Sequence, residues 1–447
     1  MFERPEIARD WLQQHGSPVH VVVASEFERN VNDLLSALHS RGLSGGLFFA
    51  RKANKLPWFV TMAKEQGIGV DTASLNEVRE TLELGISPDQ IIVTAVGKEH
   101  ELVAEAAGKG CLLVIDNADE MELVRSVARS LGKTARIGLR FSGFQVGGRA
   151  VFSRFGFPIG DAGELVAGAT QSEHVKLELL HAHLDRYDTE ERATAAQQLI
   201  KIADHLATLG HPISGIDLGG GILIRYLEKE SEWQAFLQQL VASVKGDEPP
   251  FTYRDDGLGY YRVGNEVQGQ ADLYPAWNKL SKERFLAAVL DHRQDGIPLH
   301  RQLSERGLRL FFEPGRALLD NTGVTLARTA FRKRDTLGNL LIGLAMNRTN
   351  LRPFRAEFCS DPILLTSEPR SEMTEGAFLV GNLCSEGDIL FRRKIDLRHL
   401  PEPGDVFAFA NTAGYLAHHL EIGTHGNPLP RNLLVDSRTF EVRQVFA

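Results

Sequence analysis

Along the first two thirds of the chain, short apolar runs alternate with stretches in which apolar residues recur every three or four positions. The runs Gly46–Ala50, Gly69–Asp71, Ile91–Thr94, Leu112–Asp116, Ala135–Phe141, Leu177–His183, Gly215–Leu218 and Leu308–Glu313 predict strands. The periodic stretches Glu26–Arg41, Leu75–Leu84, Lys98–Lys109, Ala118–Leu131 and Glu190–Leu209 predict amphipathic helices. Alternation of buried strands with helices predicts parallel βα units. The eight strands thus predict an α/β fold, a closed (β/α)8 TIM barrel over residues 25–322.

Beyond Gly323 the helical period fades. Val324–Phe331, Leu340–Leu344, Phe378–Val380, Ile389–Phe391, Val406–Ala410 and Phe440–Val445 read as strands between turns, which predicts a C-terminal all-β domain, residues 323–447. The valine-rich strand Pro18–Ala24 precedes the barrel and is assigned to the β domain with residues 1–24. An aromatic-rich insertion, 246–291, carries Phe251, Tyr253, Tyr260, Tyr261, Tyr274 and Trp277. It reads equally as a lid or specificity loop and as a subdomain packing on itself.

Polar residues stand at the C-terminal tips of the predicted barrel strands: Lys52, Asp71, Arg140, His183, Asp217 and Glu313. In a barrel these tips converge on one face. The stretch Phe48–Lys55 runs from apolar strand into Arg51, Lys52, Asn54 and Lys55; partial desolvation there favours the free amine of Lys52 for carbonyl chemistry. A basic solvated loop is the plainer reading of that stretch alone. Asp217-Leu-Gly-Gly-Gly221 is either a tight turn or a phosphate cradle, and lacks the spacing of a dinucleotide site. Glu313-Pro-Gly-Arg316 puts a carboxylate and a guanidinium at one strand tip, suited to a protonated ring nitrogen and to a phosphate. A local ion pair in a polar turn would use the same letters.

Composition narrows the field. A net charge of −8 over 447 residues opposes broad electrostatic binding of nucleic acid, and no apolar run is long enough to span a bilayer. The first residues lack a basic segment leading into an apolar one, so no signal peptide is expected and the cytoplasm is the default location. Cys111, Cys359 and Cys384 form neither a disulfide framework nor a metal motif, and His418-His419 has no partner at metal-ligand spacing, so no metal is expected.

Taken together, Phe49-Ala-Arg-Lys-Ala-Asn54, Gly69 to Glu77, Ser153-Arg-Phe-Gly156, His181-Ala-His183, Asp217 to Gly221, Glu313-Pro-Gly-Arg316, Cys384 to Asp388 and Tyr415 resemble, in order, the fold-type III pyridoxal-phosphate decarboxylases. That group includes the diaminopimelate, ornithine and arginine decarboxylases. The resemblance implies pyridoxal 5'-phosphate as cofactor, joined to Lys52 as a Schiff base, with α-decarboxylation of a small amino acid through a quinonoid intermediate. It implies that Glu313 faces the ring nitrogen, His183 stacks on the ring, and Gly220, Gly221, Gly315, Arg316 and Tyr415 hold the phosphate. Asp71, Glu77 and Arg140 would support them. Cys384 and the residues after it would enter a neighbouring subunit's site in a homodimer, where Cys384 or Lys52 reprotonates the α-carbon.

Two departures bear on the substrate. Where the family has His-Ile-Gly-Ser, this chain has His183-Leu-Asp185-Arg186, and Arg186 is suited to a distal carboxylate. Where diamine enzymes place an acid directly after the cysteine, this chain has Ser385, with Glu386 one later. Diaminopimelate is therefore one expected substrate and a specialised amino acid another. An amino-acid racemase on the same barrel and a catalytically silent binding protein are the remaining alternatives; the intact Lys52 and Glu313-Pro-Gly-Arg316 oppose the latter.

Overall fold

The computed structural model describes residues 4–352, 360–366, 372 and 375–446; Cys359 lies outside them. The chain divides into two units, Glu28–Leu223 with Leu280–Leu318, and Met1–Phe27 with Ile224–Lys279 and Leu319–Ala447.

Among the described residues of the first unit, eight parallel strands close into a barrel: β1 (Gly45–Ala50), β2 (Gly69–Thr72), β3 (Ile91–Val93), β4 (Leu112–Ile115), β5 (Ala135–Ser142), β6 (Val175–Ala182), β7 (Gly215–Asp217) and β8 (Arg309–Phe312). Pairing of β8 with β1 completes the ring. Each strand stands within two residues of its sequence expectation, because a continuous apolar run such as Leu112–Ile115 can only be buried on both faces. Helices between them are fixed at their starts by side-chain caps. Ser74, Asn117 and Asp188 accept from backbone N–H groups of Leu75–Glu83, Ala118–Ser130 and Thr189–Thr208.

Inside the barrel, Ile92, Leu112, Val114 and Leu179 pack with Phe48 and Phe311. Between β5 and β6 the register slips by one residue: Leu177 faces Ile137, but Leu179 faces Gly138, leaving Glu178 as a bulge. After it, His181 lies level with Arg140 on one side and Asp217 on the other.

In the second unit, Val19–Val23 pairs antiparallel with Gly323–Arg334 and parallel with Arg431–Val435, so the N-terminal strand does join the β domain. Helix Pro5–His15, unforeseen in the sequence, lays Ala8, Trp11 and Leu12 on that sheet. The expected strand Ile389–Phe391 is corrected to a single bridge, Val380 to Ile389, since the chain there is bound up in a loop around Asp388. The final strand is Val442–Phe446; Phe440, at φ 60°, still belongs to a turn anchored on Asp436. The stretch expected as a 246–291 insertion is divided. Ile224–Lys279 groups with the β unit, whereas helix Lys282–Asp291 belongs to the barrel unit. Within Ile224–Lys279, Trp233, Leu240, Leu258, Leu273 and Ala276 form a small core of their own.

Candidate active site

At the tip of β1 the chain enters one tight turn, Arg51–Ala53, that sends two neighbouring cations different ways. Arg51, 2% exposed, reaches to helix Leu75–Glu83, donating to Glu77 O at 3.0 Å and Thr81 Oγ1 at 3.1 Å and pairing with Glu80. Lys52 turns to the mouth, where Nζ donates to Asp71 Oδ2 at 3.0 Å. Asp71 accepts in turn from Thr94 Oγ1. Burial raises the Asp71 carboxyl above its ordinary range, a shift that Lys52 opposes and Glu313 adds to. Ser74 Oγ caps helix Leu75–Glu83 by accepting from Glu77 N, and the Glu77 carboxylate accepts from Ala73 N at 2.7 Å.

Across the mouth stand two buried carboxyl groups and a buried imidazole. His181 Nε2 is 3.0 Å from Glu313 Oε1, and one ligand-type atom from each of His181, Asp217 and Glu313 falls within 4.8 Å of the others. Burial lifts both carboxyls; Asp217, well above its ordinary value, is pushed further by Glu313, whereas Lys52 and Arg140 oppose the rise at Glu313. Burial also drives His181 towards the neutral form, as it does His183. Asp217 Oδ1 accepts from Gly219 N at 2.7 Å, while Asp217 Oδ2 and His181 Nδ1 have no hydrogen-bond partner among the described residues.

A glycine turn follows β7. A Cβ on Gly219 would come within 2.9 Å of Ala182 O and His183 Nδ1, and one on Gly220 within 2.7 Å of Glu313 O. Only bare backbone fits between these strand tips. Buried Gly315 and half-buried Arg316 continue the rim from β8, and the edge of Phe155 faces His183, centroids 6.2 Å apart. Arg140 pairs with Asp116 at 2.7 Å and donates to Thr94 O. Asp116 also accepts from Gly156 N, and the buried pair Lys98–Glu120 holds its backbone N–H. Arg186 points to solvent, 3.3 Å from Glu191, and Asp185 is exposed.

Cys384, Ser385, Glu386 and Tyr415 belong to the β unit. Cys384 is exposed in a loop that Asp388 ties together, accepting from Leu383 N and Arg348 N at 2.8 Å each. Gly381 is obligatory there: a Cβ would lie 2.1 Å from Asp388 Oδ2. Glu386 pairs with Arg254 at 3.2 Å, and Tyr415, at φ 62°, meets His419 edge-on.

Residues 24–248 match the family of the pyridoxal-dependent decarboxylases through its pyridoxal binding domain, and the chain belongs to that family. Its carboxy-lyase class and its cofactor, pyridoxal phosphate, follow from that membership. The uncharacterized protein y4yA of Sinorhizobium fredii is 27% identical over 95% of this chain and 89% of its own. A diaminopimelate decarboxylase of Zymomonas mobilis is 26% identical over 87% and 80%. Among solved structures, a diaminopimelate decarboxylase of Helicobacter pylori complexed with L-lysine superposes with a TM-score of 0.72 at 18% identity, covering 98% of this chain and 94% of its own. AQ1208 of Aquifex aeolicus gives 0.72 at 20%, covering 97% and 90%.

The barrel residues fit that cofactor. Two buried acids held above their ordinary range despite Lys52, one with an oxygen that has no hydrogen-bond partner among the described residues, suit a protonated ring nitrogen; the glycine turn suits a phosphate; Lys52 offers an amine. Sequence reasoning missed the contact of His181 with Glu313, although His181 and His183 share a strand face by simple alternation. It placed Asp217 among the converging strand tips without giving it a role, and gave none to Asp116, Thr94 or Arg192. Thr94 and Asp116 end predicted strands and carry the same polar-tip signal, whereas no local pattern marks Arg192.

Proposed function

We propose that the protein is an amino-acid α-decarboxylase of the diaminopimelate-decarboxylase type. The observation that carries this reading is Lys52 held on Asp71 at the mouth that also contains the buried Glu313–Asp217–His181 cluster. Lys52 would hold the cofactor covalently, Glu313 would keep the proton on its ring nitrogen, His183 would cover its face, and Gly220, Gly221, Gly315, Arg316 and Tyr415 would hold its phosphate. When bound, pyridoxal phosphate supplies the electron sink for the pair that CO2 leaves on the α-carbon. Asp71 orients the Lys52 amine and keeps it on the mouth side of the turn. Lys52 Nζ then carries a proton to or from the α-carbon, with Cys384 Sγ as the second donor. Arg140 organises the wall through Asp116 and Thr94.

Arg186, Ser385 and Glu386 are the proposed substrate contacts. Pairing of Glu386 with Arg254 favours a substrate whose distal end is not a simple ammonium, which keeps a specialised amino acid beside diaminopimelate. A homodimer with shared sites in the cytoplasm belongs to the same proposal; no helix among the described residues is long and apolar enough to cross a membrane.

Borohydride reduction of the cofactor-loaded protein with peptide mapping should place the label on Lys52, and a panel of amino acids including diaminopimelate should release CO2. Lys52→Ala should lower that release roughly 10³-fold or more, having lost both covalent anchor and proton carrier. Interconversion of enantiomers with the carboxylate retained would make the protein a racemase. No label and no turnover would leave a binding protein.

A further inference from the structure

Arg192, in the first turn of helix Thr189–Thr208, is completely buried and makes no ion pair among the described residues. Its guanidinium is instead surrounded by backbone carbonyls from two loops. Nη1 donates to Leu218 O at 3.1 Å, and Nη2 to Leu184 O, Gly221 O and Arg186 O at 3.2, 3.2 and 3.4 Å. Nε has no hydrogen-bond partner among the described residues, and the Phe285 ring lies 5.6 Å from the guanidinium carbon. A Cβ on Gly221 would stand 2.4 Å from Nη2, so the glycine turn and the arginine are fitted to each other. Glu191, the adjacent acid, is turned to Arg186.

Burying a full cation whose hydrogen bonds go to neutral carbonyls is costly, and burial lowers the Arg192 pKa to about 10 although Glu191 and Asp188 act against the fall. An anion close by would offset that cost. The backbone geometry points the same way. Because C=O and the following N–H of a trans peptide are opposed, carbonyls directed at Arg192 aim the amides of Asp185, Tyr187 and Ile222 away from it, to the other side of the two turns, while Gly219 N is held by Asp217.

We propose that Arg192 is the positioning residue and buried counter-charge of a phosphate site built by the turns 184–187 and 218–222. Resting on the decarboxylase reading, the proposal assigns the site to the phosphate of the cofactor. It makes phosphate affinity depend on a side chain on the helix behind the turns.

The test compares wild type, Arg192→Lys and Arg192→Gln for binding of pyridoxal phosphate, of pyridoxal lacking the phosphate, and of inorganic phosphate as competitor. Arg192→Gln should weaken pyridoxal phosphate about 10-fold or more, as expected for a lost charged hydrogen-bond set. It should abolish competition by inorganic phosphate and leave pyridoxal unchanged, and Arg192→Lys should restore part of the loss. Equal weakening of pyridoxal and pyridoxal phosphate, or no weakening of either, would overturn the assignment. If Arg192→Gln does not fold, Arg192→Lys must show the same selective loss in smaller measure, and failure to do so overturns it. Wild type that binds inorganic phosphate through Arg192 but is not labelled at Lys52 would refute the decarboxylase reading and leave the anion site standing. Wild type that binds neither would remove both.

Discussion

The barrel buries His181 against Glu313 and Asp217; the β unit buries His20 and His418 around Glu421. The second cluster places Glu421 3.6 Å from His20 and 3.3 Å from His418. Thr325 meets the far nitrogen of His20 at 2.9 Å, and Asn432 that of His418 at 2.7 Å. The residue types match, yet the carboxyl groups respond in opposite senses. Hydrogen bonds and charge from two histidines overcome burial and hold Glu421 well below the ordinary range, while burial lifts Asp217 and Glu313 above it, with the one imidazole turned to Glu313. One acid between two bases is balanced within the fold. Two acids beside one base stay raised although Lys52 acts on both and Arg140 on Glu313, and so leave room for a further cation, which separates a cluster that stabilises from one that waits for a ligand.

Substitutions sharpen that contrast. The largest effect expected on stability is that of Glu421→Gln, which removes the charge between two buried histidines and should cost about 3–5 kcal/mol at neutral pH by urea denaturation. Because the folded Glu421 pKa is depressed, its contribution exists above the unfolded carboxylate pKa and disappears as pH falls through the folded one. The variant's deficit should therefore shrink in acid. A deficit that persists unchanged at low pH would contradict the pairing.

Glu313→Gln should instead leave the protein folded and lower decarboxylation about 10²–10³-fold, the usual loss for one preorganised electrostatic partner. Near-normal turnover would end the proposed pairing with the ring nitrogen. The smallest effect is of opposite sign. Raised carboxyl pKa values mean that the folded state keeps protons the unfolded state has released, so stability falls as pH rises from the ordinary carboxylate range through the elevated one. Asp217→Asn should relieve that fall and stabilise the cofactor-free protein by about 1 kcal/mol at neutral pH. Melting curves between pH 5 and 8 check it, and a variant as pH-sensitive as wild type would refute it.

What could be read from the chain divides along the same line. The barrel strands were legible because each is a short apolar run with a polar tip, and Lys52, Asp71 and Glu313 are tip residues now seen facing one mouth. Strands of the β unit were less so. Arg431–Val435 and Ile363–Leu365 alternate weakly, and helix Pro5–His15 owes its place to contacts with the sheet. Hidden were contacts that depend on long-range register: those of Arg192, which meets carbonyls up to 29 positions away, and that of His181 with a partner 132 residues on.

Glu178 deserves a last consequence, as the one residue inserted between Leu177 and Leu179 without a counterpart on β5. Side chains on a strand alternate strictly, so one extra position inverts everything after it. Give Glu178 a rung of its own in the ladder, and Leu180 slides opposite Arg140 while His181 and His183 rotate out into the helical layer. The mouth would then present leucine and alanine to Glu313, with every strand still in place. A whole reaction centre is thus set to odd or even by a single uncounted residue, remote from any atom that reacts.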